Sequence, residues 1–202
     1  MKKLLAVSLV ALTSVTTANA ANISLNDAYI GMDLGMLFPS WKDVPAGYED
    51  YLPQSAFMLG FDIGAKFLPL DRVYNPGLSL GYNLSFPTEP SKSVTKQKPA
   101  YTFWTLGADF DNYFAIANRN KPDSRTDLIA GAGLSAVTLS VSGGGMSDSS
   151  TTMAMDFKFG VDQGISESLK LTARMHVFFP LDSDDVGMDA LMKMSIGFKS
   201  IF

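Results

Sequence analysis

The chain has 202 residues, 16 of them basic and 20 acidic, for a formal net charge of −4, and it has no cysteine. The acidic balance argues against nucleic acid as a partner. The lack of cysteine removes disulfides, thiol chemistry and cysteine-based metal sites. Beyond the N-terminal stretch every apolar run is broken by polar residues, so no helical transmembrane segment is predicted.

The chain opens on "MKKLLAVSLVALTSVTTANA". Lys2 and Lys3 form a positive region, Leu4 to Leu12 a short apolar one, and Ala18-Asn19-Ala20 a small-x-small cleavage site. This three-part pattern predicts a secretory signal peptide over residues 1–20. Its apolar run is shorter than the roughly 20 residues a spanning helix needs. One domain is then expected over residues 21–202. Without Lys2 and Lys3 it has 14 basic residues (16 − 2) against 20 acidic ones, a charge of −6.

Two-residue alternation, the signal of a half-buried strand, runs through the rest. In "YIGMDLGMLF" Ile30, Met32, Leu34, Met36 and Phe38 oppose Tyr29, Gly31, Asp33, Gly35 and Leu37. In "FMLGFDIGAKF" Phe57, Leu59, Phe61, Ile63 and Phe67 oppose Met58, Gly60, Asp62, Gly64 and Lys66. "LSLGYNLSF" sets Leu78, Leu80, Tyr82, Leu84 and Phe86 against Ser79, Gly81, Asn83 and Ser85. "FWTLGADFDNYF" sets Trp104, Leu106, Ala108 and Phe110 against Phe103, Thr105, Gly107, Asp109 and Asp111. "DLIAGAGLSAVTLSV" starts with Leu128, Ala130, Ala132 and Leu134 on its apolar face, and a change of parity is expected near Ser135, at a bulge. "TMAMDFKFGVD" opposes Met153, Met155, Phe157, Phe159 and Val161 to Asp156, Lys158, Gly160 and Asp162. "LKLTARMHVFF" opposes Leu169, Leu171, Met175 and Phe179 to Lys170, Thr172, Arg174, His176 and Phe178. The last, "MKMSIGFKSIF", opposes Met192, Met194, Ile196, Phe198 and Phe202 to Lys193, Ser195, Gly197 and Lys199, with Ser200 the polar exception on the apolar side. Turn-rich stretches separate the eight segments and hold nearly all the prolines.

The predicted fold class is all-β: a closed eight-stranded antiparallel up-and-down transmembrane barrel. The alternative is a soluble lipocalin-like barrel with the faces reversed. An eight-stranded barrel has little interior room. Here the bulky side chains lie on one face and Gly, Ser and Thr on the other, so the bulky set fits outside, against lipid. That apolar face carries no Lys, Arg, Asp or Glu, as a lipid-facing surface requires. The polar face carries Asp33, Asp62, Asp109, Asp111, Asp156 and Asp162 with Lys66, Lys158, Lys170, Arg174, Lys193 and Lys199, six acids and six bases. Buried charges persist only when paired, so an ion-paired lumen is expected rather than an open pore. Lys193 and Lys199 are expected to meet Asp33, and Asp156 and Asp162 to meet Lys170 and Arg174.

This pattern resembles the small eight-stranded outer-membrane barrels of Gram-negative bacteria, the group of the OmpA transmembrane domain, OmpX and the opacity proteins. The resemblance implies an outer-membrane location. It implies as partners membrane lipid and lipopolysaccharide, the barrel-assembly machinery, which would read Gly197 and Phe202, and a host or surface ligand. It implies a monomer with both termini in the periplasm and with segments 39–55, 87–100, 142–150 and 180–188 outside. In that group an apolar or aromatic residue is usual two before the end, where Ser200 departs.

No catalytic, cofactor or metal set is legible. His176, the only histidine, is followed by Val177 and Phe178 rather than by the His-x-Ser of lipid A deacylases, and it reads as a satisfied lumen histidine. "DSDD" at Asp182 to Asp185 lacks calcium-loop spacing and reads as a solvated acidic loop. "SGGGM" at Ser142 to Met146 lacks the Lys-Ser/Thr of a phosphate cradle and reads as a turn. Trp41, Tyr48 and Tyr51 fit an interfacial belt or a contact patch equally well. The expected function is a non-enzymatic barrel with binding loops. A narrow solute conduit and a lipid A-modifying enzyme are the other readings.

Overall fold

The computed structural model describes residues 28–68, 72–93, 98–143 and 146–202; the predicted signal peptide lies outside them. Eight strands follow one another: β1 (Tyr29–Trp41), β2 (Ala56–Lys66), β3 (Tyr74–Ser85), β4 (Ala100–Ala117), β5 (Thr126–Gly143), β6 (Met146–Gly164), β7 (Leu169–Pro180) and β8 (Met188–Ile201). Each pairs antiparallel with the next, and β8 returns to β1 from Tyr29↔Ile201 to Trp41↔Met188. Closure leaves no sheet edge along the barrel wall, as a sheet in hydrocarbon requires.

The barrel is inside-out by the standard of a soluble protein. Among the described residues, the buried set has 25 polar or charged members and 14 hydrophobic ones, while 34 large hydrophobic residues are exposed. Ile196 is 64% exposed in mid-strand and Leu34 54%. A continuous apolar band of this kind belongs against lipid. The predicted inner and outer faces of β1, β2, β3, β6, β7 and β8 are those of the structure.

Strand β5 departs from expectation. Its register with β6 runs unbroken from Thr126↔Gln163 to Gly143↔Met146, with no bulge at Ser135. Val137 and Leu139 are buried on the same parity as Asp127 and Ser135. The strand does not turn over; the interior it faces changes from polar to apolar. Irregularities lie instead at Ser40/Trp41 and Ala115/Ala117. The expected loop 142–150 also shrinks, because β5 runs to Gly143 and β6 begins at Met146. Gly143 has φ +93°, a left-handed conformation that favours glycine at the turn.

The interior therefore has two tiers. At the loop end, where β1 stops and β2 begins, lies an apolar cluster with Leu37, Met58, Phe103, Val137, Phe178 and Leu191 at its centre. Trp41 packs onto it, 6.1 Å from Phe103 and 5.9 Å from Tyr101, and its indole N–H donates to Pro53 O at 2.8 Å. Trp41 is thus a wall of this tier rather than a belt residue. A single helical turn, α1 (Ser183–Val186), brings Val186 into the same cluster. Asp182 caps it by accepting from Asp184 N at 3.2 Å, and Gly187 at φ +63° closes it. The "DSDD" run is therefore a capped turn. At the terminal end, below the apolar tier, the lumen is charged.

Candidate functional site

The charged tier owes its space to glycine. Asp33 on β1 faces Gly60 on β2 and Gly197 on β8; Asp62 faces Gly31 and Gly81. Asp111 faces Gly77 and Gly131, and Asp109 and Asp156 both face Gly133. Arg174 faces Gly160. An eight-stranded lumen has little interior room, and each of these six charged side chains lies over a residue without one. A Cβ on Gly131 would stand 2.4 Å from Asp111 Oδ1, and one on Gly31 2.2 Å from Asp62 Oδ1.

The ions pair across this lattice. Lys193 Nζ meets Asp33 Oδ2 at 3.0 Å and Asn83 Oδ1 at 2.6 Å. Arg174 Nη1 meets Asp62 Oδ2 at 2.9 Å. Lys158 Nζ lies 2.7 Å from Asp109 Oδ2 and 2.9 Å from Asp111 Oδ1, and it donates to Ser79 Oγ at 2.7 Å. Lys199 reaches Asp162 at 2.7 Å and sits 4.2 Å above the Tyr29 ring. All of these groups are buried, so their attraction is weakly screened.

Three expected pairings are corrected. Lys199 pairs with Asp162, not Asp33: Lys193 occupies Asp33, and Lys199 lies two residues beyond Gly197 along β8, level with Gly31 rather than Asp33. Lys170 goes to Asp127 and Arg174 to Asp62, leaving Asp156 to His176 and Ser135. Asp127 itself is missing from the sequence reading, although it shares parity with Ile129 and Gly131. It accepts from Lys66 at 2.9 Å, Lys170 at 3.0 Å and Arg125 at 2.6 Å. Arg125 precedes β5, so no strand parity could place it. It is fully buried at the terminal end, where its guanidinium also donates to Arg72 O at 3.1 Å. The buried ions thus number seven acids and seven bases among the described residues.

His176 faces the lumen, stacked on Phe178 at 5.8 Å with 17° between the rings. Its Nδ1 lies 3.3 Å from Asp156 Oδ1. The nearby Ser135 hydroxyl donates to Asp156 rather than to the imidazole, so these three groups lack the base-to-nucleophile contact of a hydrolytic triad. Gly197 stands where a Cβ would be 2.2 Å from Met32 O and 2.6 Å from Asp33 Cβ, which gives it a packing role. Phe202 is 72% exposed, its N–H bonded to Ala28 O at 2.9 Å.

At the loop end the rim is acidic. Asp43, Asp148, Asp182, Asp184, Asp185 and Asp189 lie there, and Lys42 bonds Asp184 at 2.6 Å while Lys92 bonds Asp50 at 2.7 Å. The hydrogen bond to Asp184 holds the Lys42 ammonium above its ordinary pKa. Tyr48 and Tyr51 pack with tilted rings, 5.4 Å apart, on the first loop.

An antiparallel, closed, eight-stranded barrel with lipid-suited side chains outside and ions inside is a transmembrane β-barrel of the small outer-membrane type. No family model and no curated protein matches the chain. Among solved structures it is similar to the attachment invasion locus protein Ail of Yersinia pestis, at 11% identity over 89% of this chain and 100% of that one, TM-score 0.60. It is similar to Neisserial surface protein A at 17% identity over 87% and 97%, TM-score 0.58. The N-terminal barrel domain of Pseudomonas aeruginosa OprF matches at 15% over 88% and 98%, TM-score 0.55.

Proposed function

We propose that this protein is a non-enzymatic barrel of the Gram-negative outer membrane that displays its loops to the outside and passes no solute. The observation that carries this reading is the two-tier interior. Seven acids and seven bases fill the lower lumen, and the apolar cluster fills the upper one. An ion crossing it would have to break buried pairs and then enter a dry tier. In this reading the N-terminal residues direct export, both termini face the periplasm, and the apolar band sits in lipid and lipopolysaccharide. The chain is inserted by the barrel-assembly machinery with Gly197 and Phe202 in its last strand, and works as a monomer.

The loops are its working part. One of the solved structures similar in fold is Ail in complex with the heparin analogue sucrose octasulfate. Among the described residues, the rim of the present protein has more acids than bases, and Lys42 and Lys92 are already paired. Its surface ligand is therefore neutral or basic rather than a sulfated glycan. Planar-bilayer recording of the refolded protein tests the closed lumen: steady conductance at the level of an open pore would overturn it. Binding to heparin beads at physiological salt would overturn the ligand class.

A further inference from the structure

Asp109 on β4, Asp156 on β6 and His176 on β7 converge under the apolar tier. Each offers one donor atom, and the three donor atoms lie within 4.8 Å of one another. The three residues are only 4%, 3% and 6% exposed. Asp109 Oδ1, Asp156 Oδ1 and His176 Nε2 make no hydrogen bond within the protein. The two contacts joining imidazole and carboxylate, from His176 Nδ1 to Asp156 Oδ1 at 3.3 Å and to Oδ2 at 3.4 Å, are long for an N–H···O bond.

Two further observations point the same way. The first is charge. Asp109, Asp111 and Asp156 have one ammonium among them, that of Lys158. Lys193, Arg174 and Lys199 are held by Asp33, Asp62 and Asp162, while Lys66, Lys170 and Arg125 all gather on Asp127. The lumen balances as a whole, but at formal charge this level has two carboxylates more than bases. Buried carboxylates in excess are costly unless paired or bound to metal. The second is space. Gly133 lies between Asp109 and Asp156 on the intervening strand, and a Cβ there would stand 2.3 Å from Asp109 Oδ1. Only a residue without a side chain leaves room there for the Asp109 carboxylate, beside Asp156.

We propose that Asp109, Asp156 and His176 form a divalent transition-metal site, suited to Zn²⁺, that ties β4, β6 and β7 together inside the lumen. One imidazole nitrogen with two carboxylates is a donor set for zinc, whereas calcium takes six to eight oxygens. The Ser135 hydroxyl, bonded to Asp156 Oδ2 at 3.2 Å, orients that carboxylate. Two negative charges are neutralised by one dication. Entry is from the terminal end, or before the barrel closes, since the apolar tier covers the other side.

The test uses the whole protein refolded in detergent, stripped with a chelator, reloaded with ZnCl₂ or CoCl₂ and desalted. Elemental analysis is expected to find zinc at one equivalent per folded chain, and the cobalt form to show ligand-field absorption with a nitrogen donor. His176→Gln and Asp156→Asn are expected to lower zinc affinity by at least the roughly 10–100-fold that even an outer-shell partner contributes. Asp184→Ala, on the acidic rim, is expected to leave it unchanged. Heat-dependent gel mobility reports whether each variant is folded; where one is not, the cobalt spectrum of the native protein decides. The proposal is overturned if the folded native protein retains no zinc, if folded His176→Gln retains it fully, or if Asp184→Ala alone removes it. A native protein without zinc in which Asp109→Asn raises the unfolding midpoint would show a shared proton instead.

Discussion

Asp33 on β1 and Gly60 on β2 are cross-strand neighbours, and a Cβ added to Gly60 would stand 2.2 Å from Asp33 Oδ1. The carboxylate that holds Lys193 thus occupies the volume a side chain would have had. Gly60→Ala is expected to push Asp33 off its partner and lower stability by about 1–3 kcal/mol, the usual cost of overpacking. Urea unfolding of the barrel in lipid vesicles measures it. An unchanged midpoint would mean that the Asp33–Lys193 contact carries little.

Lys193→Met removes the only ammonium on Asp33 and leaves a buried carboxylate, an expected loss of about 3–5 kcal/mol. Asp33→Asn in the same chain is expected to restore much of it, since the remaining groups are then neutral. The double-variant cycle isolates the pair, and a double variant no better than the single one would contradict the pairing.

Asp127 accepts from three bases where Asp33 accepts from one. Asp127→Asn therefore strands Lys66, Lys170 and Arg125 together. It is expected to be more destabilising than Asp33→Asn, by an amount that shrinks with added salt only if water reaches this end. Equal losses for the two variants would show that Arg125 and the lysines find other acceptors.

Ile196 faces outward at mid-strand. Ile196→Arg is expected to cost about 2–4 kcal/mol in a bilayer, whereas on a water-facing surface the same change would be close to neutral. Folding yield into vesicles, compared with Ser149→Arg on the projecting β5–β6 hairpin, reads the difference.

Phe178 closes the apolar tier over His176. Phe178→Ala is expected to cost about 3–5 kcal/mol while conductance stays low, because the ion pairs beneath remain. A conducting Phe178→Ala barrel would show that the apolar tier alone is the barrier.

How much of this was legible depends on the period of the strand. Alternation fixes a face wherever polar and apolar residues alternate, so Asp33, Asp62, Asp109, Asp156, Lys158 and Arg174 were assigned to the lumen from sequence. It misleads where both faces are apolar: Val137 and Leu139 looked like a change of parity because the interior itself turns hydrophobic there. It is silent outside strands, which is why Arg125 was missed. Asp127 opens the segment "DLIAGAGLSAVTLSV", of which only the apolar face is assigned, and Gly131 and Gly133 on its parity were the available signal.

The sequence by itself determined the barrel, its inverted faces and the neutrality of the lumen, because each follows from local alternation and composition. Only the tertiary structure decided which acid meets which base. That choice depends on strand register and on which glycine opens space for which side chain, and those are relations between strands far apart in the chain. The same closure stacked an apolar tier on a charged one, gathered three bases on Asp127, and brought donor atoms of Asp109, Asp156 and His176 within 4.8 Å of one another.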